Sequence, residues 1–451
     1  MPPLAATPPT PSLARALIRS LTRGTAVGEG ARFIHVGQRA WIDAQMELLS
    51  EVAEDGHSDT KFVRGAYGAG KSHFLSVIQD FARDRNWVTS HIECKLDKVE
   101  IDRFETLYPK ITQKLLMADL SAVSPGPRAD PAIDAMRHLL ERWAQDVLRK
   151  SGIRAEALSR PFDAEERVYG YFQRRLLRSA LPVQFIQALM GFTRATLTND
   201  HDTTAALCAW FQGSPDNLVL SAAYLGNPKT SNKAAKATVI RPIGKGTAHE
   251  AMRGLLWLIR DVGYAGLVLC IDEVEELARL ATQKRQDQAL QALREFVDHA
   301  GGEGGYQCLC MYLAATPEMF ESPRYFLRYD ALATRIQSFG ARLNWRGPVV
   351  DLERTPLNRD EMIEIAAGIV RVHEIAYGAP ARADLTAPLI NKIVDGVLGT
   401  RYLIAKPRLL ARVLIDELER MRSDGDAYCP PDDMPAVTTR AAAAVIRGQN
   451  A

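Results

Sequence analysis

Apolar residues recur at helical spacing through most of this chain and condense into continuous runs at only a few places. Spacings of three and four residues predict helices over 12–23, 41–53, 132–150, 164–180, 182–197, 250–262 and 286–300. Short apolar or β-branched runs with polar boundaries predict strands at 61–64, 87–94, 267–271 and 307–314. Gly24 supplies a stop for the first helix. Asn358 with Glu361 forms a capping-box pattern near the start of the mainly helical last hundred residues, and Pro407 sits where a helix beginning favours it. Strand, helix and strand in alternation imply a parallel sheet with helices on both faces. The expected organisation is a tail and helix over 1–30, the first part of an α/β core over 31–100, a mainly helical insertion over 101–248, the second part of the core over 249–355, and a helical lid over 356–451.

The 451 residues include 56 Lys and Arg against 54 Asp and Glu, a net charge of +2, which excludes a protein that grips nucleic acid through bulk positive charge. The longest apolar runs, 264–271 and 308–315, are far shorter than the roughly 18 residues a membrane span needs. Residues 1–11 lack a charged segment followed by an apolar one, so no secretory signal is expected. The cysteines Cys94, Cys208, Cys270, Cys308, Cys310 and Cys429 are scattered and form no CxxC. Together these features predict a cytoplasmic protein with reduced thiols and no structural zinc.

The most specific chemistry lies at Gly65, Ala66, Tyr67, Gly68, Ala69, Gly70, Lys71 and Ser72, which satisfy G-x-x-x-x-G-K-[ST] in full. Glycines let the backbone curl so that successive N–H groups face phosphate oxygens. Lys71 would reach the β- and γ-phosphates of ATP, the Ser72 hydroxyl would ligate Mg²⁺, and the helix opening through His73 would present its positive end to the anion. A second signal is the apolar run 267–271 ending in Asp272 and Glu273. In a sheet with this strand beside the phosphate-loop strand, Asp272 would emerge near the metal and Glu273 would orient and deprotonate the attacking water. Glu275 and Glu276 follow at once and read as the start of a solvated loop or helix.

With these residues in place the chain resembles the AAA+ ATPases, nearest the origin-recognition and STAND-type clade. Val36, Gly37, Gln38 and Arg39, upstream of the loop, look like that clade's adenine-side box. The resemblance implies Thr316 as sensor 1, Arg335 as arginine finger with Arg324 and Arg328 as competitors, and Arg408 as sensor 2. Over nearly its full length the chain is similar to the ATP-binding proteins of bacterial BREX phage-resistance systems, of the BrxD type. Residues 14–25, 63–75 and 271–273 carry that likeness. It implies anti-phage defence alongside a DNA methyltransferase and other defence-system proteins, and assembly as a homo-oligomer. Lys71 and Asp272 lie 201 residues apart, a departure from a minimal AAA+ core that requires the inserted helical region.

Residues 221–248 contain Lys229, Lys233, Lys236, Arg241 and Lys245 and no Asp or Glu, and Arg174, Arg175 and Arg178 cluster on another helix. The first stretch suits non-sequence-specific contact with duplex DNA; a solvated basic loop is the other reading. The leading expectation is an Mg²⁺-dependent ATPase. An ATP-binding switch or scaffold with little hydrolysis competes with it, and a small-molecule kinase fits the acidic strand end less well.

Overall fold

The computed structural model describes residues 8–25, 27–94, 103–121, 131–153, 161–226, 237–301, 305–336, 342–378, 383–400 and 406–449. Its strands are β1 (Asp59–Arg64), β2 (Val88–Glu93), β3 (Leu115–Leu116), β4 (Leu218–Leu220), β5 (Thr238–Ile240), β6 (Leu267–Asp272), β7 (Leu309–Ala315) and β8 (Val349–Asp351). Six of them form one sheet in the order β3-β2-β6-β7-β1-β8, parallel except for the short edge strand β3; β4 and β5 form a separate antiparallel pair. Every residue of β6 and β7 is buried, which is why these strands read as unbroken apolar runs. The fold is the mixed α/β P-loop architecture that the sequence led us to expect.

One expectation is corrected. The acidic strand β6 does not lie beside the phosphate-loop strand β1, because β7 stands between them: Asp59–Arg64 pair with Cys310–Ala315, and Leu267–Ile271 pair with Leu309–Leu313. Seven consecutive buried residues put β7 at the centre, where both of its backbone edges are paired. The partly exposed start of β1 stands one place further out.

Period-two alternation along the strands divides the interior into two clusters. Phe62, Leu269, Ile271, Met311 and Leu313 belong to the cluster that includes Trp143 and Leu189 of the helices inserted between β2 and β6, and Phe62 meets Phe320 and Phe326 from the segment after β7. Val63, Val268, Cys270, Tyr312 and Ala314 face the opposite way, toward Leu17 and Ile18, Phe74 and Ile78, and Ile369 and Leu414. Complete burial of each Val, Leu, Ile, Phe or Met side chain among these contributes about 1.5–3 kcal/mol. The insertion and the helix Gln283–Gly301 therefore share one face; the helix Arg39–Asp55 and the phosphate-loop helix lie against the other, with the N-terminal and C-terminal helices packed in the same cluster.

The first helix, Pro11–Arg23, is capped by the Thr10 side chain and ends at Gly24 in the left-handed conformation, as its sequence signals indicate. The single helix expected over 164–180 is instead Pro161–Tyr171 followed by a π-helical turn, Phe172–Leu176. The wider turn carries Phe172 and Leu176 into the core, and Arg175 reaches Asp261 at 2.6 Å. Chain connectivity returns from the insertion to β6 beside β2, so the interruption leaves the sheet intact.

Candidate nucleotide site

The loop from Gly65 to Ser72 leaves β1 and enters the helix Lys71–Asp84. Its curl places Gly68 and Gly70 at φ 78° and 96°, and a Cβ on Gly65 would stand 3.0 Å from Ala69 Cβ and 3.3 Å from Lys71 Cγ. The Gly65 N–H donates to Ala315 O at 3.3 Å, which ties the loop to the end of β7. Thr316 is the next residue, at the N-cap of the helix Pro317–Glu321, with its side chain making no capping bond. Because β7 lies between β1 and β6, Thr316 follows the strand that separates the loop from Asp272. Three strand ends thus deliver the loop, Thr316 and the acidic pair to the C-terminal end of the parallel sheet.

Asp272 is buried, its Oδ1 accepting the Glu273 N–H at 2.9 Å and its Oδ2 lying 3.9 Å from His91 Nε2. Glu273 is half-buried and left-handed, at φ 57° and ψ 37°. That conformation costs an L-residue about 1–2 kcal/mol, and retained strain of this kind concentrates at working sites. The turn ends the strand and starts a short 3₁₀ segment, Val274–Arg279.

That segment overturns the expectation that Glu275 is solvated. Val274 and Leu277 pack into the core and carry Glu275 inward, where it is 7% exposed and its carboxylate stands 3.6 Å from Lys71 Nζ. The backbone N–H groups of Glu275 itself and of Thr316 lie beside the carboxylate. Burial pushes this carboxyl up, while the Lys71 ammonium pulls it down. Glu276 is half-buried and paired with Arg279. The two apolar residues three apart were the available signal, but six residues are too few for periodicity to stand out.

Lys71 itself is buried and turned back on its own loop, its Nζ donating to Gly65 O at 2.9 Å and lying 5.5 Å from the centre of the Tyr67 ring. The Ala66 N–H donates to Glu353 Oε1 at 3.2 Å, from the turn after β8. Ser72 is half-buried at the start of the helix. Among the described residues no three His, Cys, Asp or Glu side chains group as a metal cage. One carboxylate and one hydroxyl fit Mg²⁺, which normally takes one or two protein ligands and fills its octahedron with phosphate and water.

The segment that leads into Val36 and Gly37 packs on the same helix. Asp80 accepts the Gly30 and Arg32 N–H groups at 3.1 Å each, and His35 Nδ1 lies 3.3 Å from His73 Nε2. Burial pushes His35 down to about 4 and His73 to about 3, so both are neutral at ordinary pH. Gly37 has φ 79°, and a Cβ there would stand 2.8 Å from Leu357 and 2.9 Å from Glu361 Oε1. The segment is wedged between the phosphate-loop helix and the helix Arg359–Tyr377, whose capping box of Asn358 and Glu361 is formed.

A family model described as BREX system ATP-binding protein BrxC/D matches residues 10–431. The chain belongs to this family. No curated protein and no solved structure matches it. The family match covers the sheet, the inserted helices and the C-terminal helices up to but not including Met434–Gln449, and it supports a defence-system ATP-binding role.

Other residues singled out in this BREX ATP-binding chain lie outside the convergence. Arg335, on the helix Asp330–Ile336, is paired with Asp298 at 2.7 Å, and Arg328 is paired with Asp287. Arg324 is exposed, as is Arg408 on the first turn of the helix Lys406–Asp424. Arg241 and Lys245 are exposed; Lys229, Lys233 and Lys236 lie outside the described residues. Among the described residues no helix is long and apolar enough to cross a membrane.

Proposed function

We propose that this BREX-family protein is a cytoplasmic, Mg²⁺-dependent AAA+ ATPase that assembles with copies of itself and uses its nucleotide state to act on duplex DNA or on a DNA-bound complex of defence proteins. The observation that carries the reading is the meeting of the Lys71 loop, Thr316 and the Asp272–Glu273 pair at the C-terminal end of the parallel strands, with Glu273 held in a strained backbone conformation. In this reading the α/β core spans 31–100 and 249–355, the insertion 101–248 is a working appendage, and 356–451 is the lid.

The backbone N–H groups from Gly65 to His73 cradle the phosphates, Lys71 neutralises β- and γ-oxygens, and Val36 and Gly37 line the adenine side. Ser72 and Asp272 hold Mg²⁺, which when bound screens the charge that develops on the transferring phosphoryl oxygens. Glu273 accepts the proton of the attacking water, and Thr316 orients that water or the γ-phosphate. Arg408 approaches from the lid. Arg335 would exchange Asp298 for a neighbouring protomer's phosphate, which makes hydrolysis depend on assembly.

A second reading, an ATP-binding switch with little hydrolysis, draws on the inward posture of Lys71, which is already engaged by Gly65 O and Glu275. Turnover and ATP binding of the wild type, Glu273→Gln and Arg335→Ala, with and without duplex DNA, separate the two. A wild type that binds ATP but turns over no faster than Glu273→Gln is a switch. For DNA, salt-dependent binding that survives neutralisation of Lys229, Lys233, Lys236, Arg241 and Lys245 together removes the basis for that contact.

A further inference from the structure

The turn after β6 does more than end a strand. Val274–Arg279 folds over the phosphate loop and touches it twice: Glu275 faces the Lys71 ammonium at 3.6 Å, and Arg279 Nη2 donates to the Tyr67 hydroxyl at 3.4 Å. Both side chains of the first contact are more than nine-tenths buried, at 8% and 9% exposure. Of the groups that compensate the buried Glu275 carboxylate, the Lys71 ammonium acts most strongly, ahead of the backbone N–H groups of Glu275 and Thr316. Lys71 in turn is drawn inward, onto the carbonyls of Gly65 and Ala66.

We propose that Glu275 is a positioning residue for Lys71: a built-in counter-anion that holds the ammonium inward while the loop is empty and yields it to the β- and γ-phosphates of an entering nucleotide. The proposal rests on the nucleotide-site reading above. Two consequences follow from charge alone. Nucleotide entry must take Lys71 away from a carboxylate that offers it an attractive alternative. Once a polyphosphate is bound, the same carboxylate is a like charge close to it. Both effects lower affinity for ligands that carry a β-phosphate, and neither touches a ligand whose phosphate ends at the α-position.

The test is equilibrium binding of ATP, ADP and AMP to the full-length wild type, Glu275→Gln and Lys71→Met, and to the Lys71→Met/Glu275→Gln double variant. Glu275→Gln should bind ATP and ADP about tenfold tighter or more, leave AMP affinity unchanged, and lose its effect in the Lys71→Met background. A residue that merely supports the fold would weaken all three ligands together. Unchanged or weaker ATP affinity in Glu275→Gln, while the wild type binds ATP through Lys71, overturns the inference and leaves the site reading standing. A wild type whose ATP affinity is indifferent to Lys71→Met overturns both. If Glu275→Gln does not fold, Glu275→Asp keeps the charge but withdraws it by one methylene. It should shift ATP affinity the same way by about two- to threefold, and equal or weaker binding overturns the inference.

Discussion

Glu273 offers a test in which the backbone can be separated from the side chain. Alanine and glycine at this position both remove the carboxylate, so any interaction that it makes is lost equally, and the two variants differ in what φ 57° costs them. For alanine the left-handed conformation costs about 1–2 kcal/mol relative to glycine. Glycine gives back about 0.4–1 kcal/mol, because its unfolded chain has more freedom to lose. The balance favours Glu273→Gly over Glu273→Ala by about 0.5–1 kcal/mol, whereas in an ordinary helix alanine is ahead by about 1 kcal/mol. Urea denaturation of the two variants without nucleotide, read from midpoints at equal slope, measures the difference directly. Both should bind ATP like the wild type and show the same residual turnover. An alanine variant as stable as the glycine variant refutes the strain argument. It would also remove the reason for regarding this turn as more than a strand end.

Three further outcomes follow from the same geometry. Lys71→Met breaks a buried pair and should destabilise the empty protein by about 3–5 kcal/mol, of which the Lys71→Met/Glu275→Gln double variant recovers at least half in the same urea assay. Asp298→Ala should leave stability within about 1 kcal/mol of wild type, because the pair it breaks is exposed, and should raise ATP turnover at a given protein concentration by freeing Arg335; Arg335→Ala should lower it. His35 is held down at about 4 by burial, so below its unfolded value of 6.5 the unfolded chain binds a proton that the folded one refuses. Its contribution is complete above pH 6.5 and is lost as pH falls toward 4; His35→Gln should reduce the stability difference between about pH 7.5 and about pH 5 by about 1–2 kcal/mol.

Much of this was legible in the residues because it was written in long or rigid patterns. The helix ending at Gly24, the capping box of Asn358 and Glu361, and the buried strands β6 and β7 each span enough residues for periodicity or a fixed spacing to show. The phosphate loop was legible because its chemistry demands particular residue types at particular places. Sheet order was not, since which strands become neighbours depends on crossovers that leave no mark on either strand. Nor was Glu275, whose burial is decided by Val274 and Leu277 on a single 3₁₀ turn. The edge strand β3 and the β4–β5 ribbon, with two and three residues per strand, offer too little pattern to detect.

The two ends of the inserted region meet the sheet very differently. It departs from the end of β2, where Glu93 is in register with Asp272 and the Cys94 N–H donates to the Asp272 carbonyl at 3.0 Å. It returns at Leu267, at the far end of β6. In mechanical terms the departing end is pinned to the main chain of Asp272, and the returning end is anchored a full strand length away. A displacement of the end of β2 is therefore felt at the Asp272 peptide through the Cys94 hydrogen bond, a strand length away from the place where the chain re-enters the sheet.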